Sequence, residues 1–177
     1  MSIFDFDQEA KETQDNKAIV LEVMKEAGFN IKYVSERLKN DRDVILAAVK
    51  EDGDNLEFVP SKFYSDREII LEAVKTNGMA LSYASEELKN DKEIVMTAID
   101  TCHAAIQYAS DNLKDDEEVV FESVRWSSPN LFYASERIKN NKEFILKLKD
   151  YDTIDIDHLS DELKNDEEFI QKLKFSF

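Results

Sequence analysis

A single cysteine, Cys102, stands among 177 residues, so no internal disulfide can form, which fits a reducing compartment. Glycine and proline are scarce, at three and two residues, while 42% of the chain is hydrophobic and 35% charged. That balance argues against disorder and for a folded, helical chain. No stretch approaches the roughly 20 apolar residues that a membrane helix needs. The opening residues Met1–Asp15, with Asp5, Asp7, Glu9 and Glu12 around Phe4 and Phe6, lack a basic n-region and an apolar h-region. The expected location is therefore the cytoplasm, or export by a route without a cleavable signal. Basic residues are outnumbered, Lys+Arg 23 against Asp+Glu 39, and the net charge of −16 repels nucleic acid and anionic membranes.

Chemistry is equally sparse. The three glycines, Gly28, Gly53 and Gly78, lie 25 residues apart and form neither a P-loop nor a dinucleotide fingerprint. Cys102 and His103 are adjacent, so a helix end points them apart, and no triad partner is recognisable; both read as turn residues. His158 occupies a position where its counterparts are aromatic, and with no second soft ligand it reads as a core or half-buried histidine. The acids Asp150, Asp152, Asp155 and Asp157 lack the frame and distal glutamate of a calcium loop and read as a solvated turn. The expectation is a protein without catalysis, cofactor or metal.

What the chain does contain is a repeat. The stretch Asp66–Asn90, DREIILEAVKTNGMALSYASEELKN, recurs without gaps at a step of 25 residues. Full repeats cover 16–40, 41–65, 66–90, 91–115, 116–140 and 141–165, a half-repeat covers 166–177, and residues 1–15 lie outside as an acidic cap or tail. A period of this length is the signature of a solenoid or a related array. The fold class expected is all-α, an α-solenoid of short helical repeats.

Numbering slots from the leading Asp or Asn as 0, slots 3 and 4 are always apolar: Ile19 and Val20, Val44 and Ile45, Ile69 and Ile70, and so on to Phe169 and Ile170. The leading residue has the character of an N-cap, with acids such as Glu68, Glu93 and Glu118 placed against the helix dipole. In the repeat of Asp66 the apolar residues Ile69, Ile70, Leu71, Ala73 and Val74 cover an arc of roughly 200°, wider than a surface stripe. The β-branched pair would suit a strand, but a run of about eleven residues ended by glycine predicts a helix. Gly28, Gly53 and Gly78 stand where a left-handed C-terminal residue is easiest for glycine. The second half, with Leu81, Tyr83, Ala84 and Leu88, predicts one short helix or two. Ser35, Ser85, Ser110, Ser135 and Ser160 share a slot in which serine either restarts a helix as N-cap or bends it by bonding backward. The tyrosines Tyr33, Tyr83, Tyr108 and Tyr133 read as core packing rather than a stacking ladder. In the half-repeat, Gln171 and Lys174 replace apolar slots, as a terminal rung needs, and Phe175 and Phe177 either pack back or fray.

The segments DREIILEAVKTNG and ALSYASEELKND resemble the bacterial and protist family known as domain of unknown function 4116, whose units run close to DKEVVLAAVKQNGxALQYASEELKND. The resemblance spans residues 16 to about 170 and implies helical repeats, often in multiple copies, with no activity and no catalytic residues to carry over. Departures fall at Pro60 and Phe63–Tyr64, at His103, at Trp126–Pro129 and at His158.

Two of these departures carry the functional expectation. In slot 10, Glu26, Glu51, Thr76 and Thr101 give way to Trp126 and Tyr151, and three slots on the same edge holds Phe29, Met79, Pro129 and Ile154. Exposed Trp and Tyr are typical anchors of protein interfaces, so a protein-binding ridge centred on Trp126 is one expectation; the other is that Trp126 folds down over its own helix end. The function expected is a non-enzymatic, protein-binding interaction scaffold. The alternative is an acidic inhibitor, immunity protein or nucleic-acid mimic that blocks a basic groove of a nucleic-acid-processing enzyme, the partner then being a protein with a basic surface. Direct nucleic-acid and membrane binding are not expected.

Overall fold

A computed structural model describes residues 11–25, 31–149, 151 and 154–175. The chain forms two compact units, Met1–Leu88 and Lys89–Phe177. Among the described residues all regular structure is helical, and no helix is long and apolar enough to cross a membrane.

Each repeat opens with an α-helix because slot 0 caps it. Asn16, Asp41, Asp66, Asp91 and Asp116 all stand in extended backbone and accept hydrogen bonds from the amides two and three residues on. The helices Lys17–Val23, Arg42–Glu51 and Arg67–Thr76 belong to the first unit; Lys92–Thr101, Glu117–Val124, Lys142–Lys149 and Glu167–Phe175 belong to the second. In the repeats beginning at Asp41, Asp66, Asp91 and Asp116 slots 3, 4, 7 and 8 are buried, as Ile69, Ile70, Ala73 and Val74 show. These four slots share one stripe of a 3.6-residue helix. The fifth apolar slot is only half-buried, at Leu21, Leu46, Leu71, Met96, Phe121 and Leu146, so the buried arc is narrower than the sequence pattern implies.

One extended residue ends the helix and begins the next element. Asp52, with φ −155° and ψ 117°, terminates Arg42–Glu51 and then accepts from the amide of Asp54, capping the 3₁₀ helix Gly53–Phe58. Asn77 does the same for Gly78–Tyr83. This corrects the role assigned to Gly53, which supplies no left-handed residue. Gly53 is needed for close approach: a Cβ there would overlap the carbonyl oxygen of Ala73 and lie 3.1 Å from its carbon and 3.2 Å from the Cβ of Asn77. Gly28 lies outside the described residues.

The second half holds two short helices. After the 3₁₀ helix, a second one begins at the serine slot, and the hydroxyl acts as N-cap: Ser110, Ser135 and Ser160 accept from the amides of Leu113, Ile138 and Leu163 at 3.2–3.3 Å. The serine amide meanwhile donates to a carbonyl of the preceding repeat, Ser35 to Gln14, Ser85 to Tyr64, Ser110 to Lys89 and Ser135 to Lys114. Pro60 occupies this slot in the second repeat and, having no N–H, cannot make that bond.

A further ladder, and one buried amide, join neighbouring repeats within a unit. The cation in slot 1 reaches the cap of the next repeat: Lys17 to Asp41 at 2.8 Å, Arg42 to Asp66 at 2.7 Å, Lys92 to Asp116 at 2.7 Å, and Lys142 to Asp166. Buried Asn55 accepts from the amide of Ile31 at 2.9 Å and donates to the carbonyls of Ala48 and Asp52.

Candidate interaction surface

Trp126 owes its position to an early helix end. In the repeats beginning at Asp41, Asp66 and Asp91 the helix runs through slot 10, but Glu117–Val124 stops two residues sooner, with Arg125 as its helical C-cap. Pro129 then sits in the first turn of Ser128–Tyr133, where its missing N–H would be unpaired in any case. The indole of Trp126 is 65% exposed. It does not fold down over its own helix. The His103 ring stacks near it, centroids 6.3 Å apart and planes 26° off parallel, and the Arg125 guanidinium stands 5.2 Å from its centroid. Arg125 pairs with Glu122 at 2.6 Å, while its buried Nε has no acceptor.

Tyr151 is 56% exposed and meets Phe121 edge-on, centroids 5.1 Å apart. Lys147 lies 4.5 Å from the same Phe121 ring. Phe121 and Arg125 are four residues apart, as are Glu122 and Trp126, so the ring groups His103–Trp126 and Phe121–Tyr151 both border the C-terminal half of Glu117–Val124, in a strip of residues from His103 to Tyr151.

The other residues of the expected ridge behave differently. Met79 is half-buried, and Pro129 is exposed. Ile154 is only 7% exposed and belongs to the core, so it offers no surface. Phe29 lies outside the described residues, as do Asp150, Asp152 and Phe177. Sequence reasoning missed Phe132, which is 61% exposed, contacts Tyr133 and His158 edge-on, and has Lys139 5.5 Å from its centroid. Its signal was available: the same slot holds Lys32, Glu57, Ser82 and Gln107 in the sibling repeats.

The tyrosine slot also departs from expectation. Tyr33, Phe58 and Tyr83 in the first unit, and Tyr108, Tyr133 and His158 in the second, are half-buried rather than core. Tyr83 stacks at a tilt on Tyr64, centroids 5.7 Å apart, and burial pushes the Tyr64 phenol up. The deeper slots of the same turn are filled by Leu56, Leu81, Ile106 and Leu131, which leaves the ring its edge position. His158 sits 3.9 Å from the Asp155 carboxylate, its Nδ1 buried and unpaired. Cys102 is a half-buried free thiol, and among the described residues no three His, Cys, Asp or Glu side chains are grouped to hold a metal ion.

Much of the negative charge is already engaged. Hydrogen bonds from Lys17 and Arg42 hold the carboxyls of Asp41 and Asp66 below the usual range. Ser35 and then Arg37 do so for Asp15; Ser135 and then Arg137 do so for Asp115. The cations respond in the opposite sense, Lys17 being raised chiefly by Asp41 and Lys92 by Asp116.

A family model described as Domain of unknown function (DUF4116) matches residues 16–64, 66–114, 91–139 and 116–149. No curated protein and no solved structure matches the chain.

Proposed function

The chain belongs to the helical-repeat family described as Domain of unknown function (DUF4116), and from that premise we propose that it is a non-enzymatic, protein-binding module, an interaction scaffold in a reducing compartment. The carrying observation is Trp126, 65% exposed in a slot where Glu51, Thr76 and Thr101 stand in the sibling repeats. A large aromatic held in water at a position that packing does not require is the residue type that anchors protein interfaces. Phe132 and Tyr151 add exposed aromatic area in the same and the following repeat, respectively.

The reading as an acidic blocker of a basic groove is less well supported. The net charge of −16 would favour it, but the cap carboxylates Asp41, Asp66, Asp116 and Asp166 each hold a cation of the preceding repeat. A carboxylate so engaged is less free to meet a partner's cations.

The test is affinity capture of the tagged full chain from nuclease-treated host lysate, comparing wild type with Trp126→Ala at low and high salt. A partner retained at high salt by wild type and lost by the variant, with unchanged far-UV circular dichroism, is the expected result. Retention by both proteins, or by neither, would overturn the assignment. A basic nucleic-acid enzyme released by salt would establish the blocker instead.

A further inference from the structure

The strip from His103 to Tyr151 has a local charge that differs from the rest of the chain. In slot 6 the repeats carry Glu22, Ala47, Glu72, Thr97 and Glu122, but the sixth has Lys147. Lys147 is exposed and stands 4.5 Å from the Phe121 ring, and among the described residues no carboxylate pairs with it. Lys62 stands in the same way over Phe63, at 4.8 Å, but among the described residues only Lys147 meets a ring that is itself packed against an exposed aromatic, Tyr151. Arg125, beside Trp126, has donor capacity beyond its single bond to Glu122, since guanidinium carries five N–H groups.

We propose that this strip takes an acidic peptide segment, one that places an apolar side chain between Trp126 and Phe121–Tyr151 and a carboxylate on Lys147 and Arg125. The inference rests on the reading of the aromatic cluster as an interaction surface. The geometry is complementary in both respects. The rings supply apolar area with little rotamer entropy to lose, and each cation is already positioned by the ring beneath it. The surrounding acids supply the selectivity: a carboxylate is repelled over most of the chain and attracted at this strip, so the segment registers at one place. The same acids would draw a basic segment elsewhere, to the rows of exposed glutamates along the helix starts, and away from Lys147.

Trp126 is the only tryptophan, so its emission reads this surface directly. The experiment titrates the full chain with three probes: the peptide Ac-Glu-Leu-Phe-Glu-NH2, its counterpart Ac-Lys-Leu-Phe-Lys-NH2, and a thymidine oligonucleotide. The expected result is a saturable emission change with the glutamate peptide alone, weakened about tenfold by Lys147→Glu and reduced by salt. Lys147 is exposed and bonded to nothing in the core, so its replacement leaves the fold in place. Saturation by the lysine peptide would overturn the proposal while leaving the aromatic surface as an interaction site. Saturation by the oligonucleotide would assign the strip to single-stranded nucleic acid, and an emission that changes on dilution without any probe would assign it to a second copy of the chain. Silence with all three, and on dilution, would remove both the proposal and the interaction surface.

Discussion

Replacing Gly53 with alanine sets two opposing effects against each other. An alanine has fewer conformations to lose on folding, and at a site free of steric conflict this exchange stabilises by about 0.4–1 kcal/mol. Position 53 is not such a site. The added methyl would overlap the Ala73 carbonyl oxygen, a backbone atom in the middle of Arg67–Thr76 that no rotamer change can move, and would also crowd the Asn77 Cβ at 3.2 Å. Relief requires the helix of the third repeat to shift away from the turn of the second. That shift strains the bond from the Gly53 amide to Thr76 Oγ1, now 2.8 Å. Overpacking of this kind costs about 1–3 kcal/mol and a weakened hydrogen bond about another 0.5–1.5 kcal/mol. The steric effect wins, and the net expectation is a loss of about 0.5–4 kcal/mol after the entropic gain is subtracted. Urea unfolding followed by far-UV circular dichroism measures it, and hydrogen exchange localises it, with faster exchange expected for the amides of Arg67–Thr76. An unchanged or raised midpoint would refute the reasoning and return the glycine to a conformational role.

Asn55→Ala removes the acceptor of the Ile31 amide and leaves that buried donor unpaired, so a destabilisation of about 2–3 kcal/mol is expected in the same unfolding assay. Ile70→Asp places an unpaired charge where the side chain is fully buried; the helical signal of several repeats should be lost, and retention of the native spectrum would contradict a shared core. Acid should weaken the fold in a defined window. Asp15, Asp41, Asp66 and Asp166 have folded carboxyl groups held below the ordinary value of 3.8, so their contribution is complete above that value and is lost as pH falls through the lower folded values. Asp41→Asn keeps an oxygen for the helix cap but abolishes this titration, so it should flatten the decline below pH 3.8, whereas Asp41→Ala also forfeits about 1 kcal/mol of cap at neutral pH.

Features that depend on neighbours in sequence were legible without coordinates. The caps at Asp41 and Asp66 and the paired apolar slots behind them follow from helix geometry alone, and a 25-residue recurrence states them repeatedly. Features that depend on the adjoining repeat were not. Glycine at position 53 has two physical justifications, and only the Ala73 backbone, brought near by packing, selects close approach. The serine slot was undecidable because one hydroxyl suits either an N-cap or a backward bond; the amide partner at the preceding repeat fixes the turn that makes it a cap. Sharing a slot with Phe29, Met79 and Pro129 suggests an edge position for Ile154, but that slot mixes buried, half-buried and exposed residues among those described and so carries no consistent direction. Phe132 is marked by the same logic that singles out Trp126, since Lys32, Glu57, Ser82 and Gln107 show its slot to be polar.

The double duty of Asp52 and Asn77, each closing one helix and opening the next, constrains how such a gene can change length. Losing or gaining one codon near these residues would remove a stop and a start together and would rotate every later side chain against its partner in the adjoining repeat. Removing 41–65 as a block, in contrast, would bring Asn40 to Asp66 and give Lys17 an equivalent carboxylate in place of Asp41. Whole-unit recombination is thus the mildest length change open to the chain, and the uninterrupted 25-residue spacing from Asn16 to Asp166 is the record such events would leave.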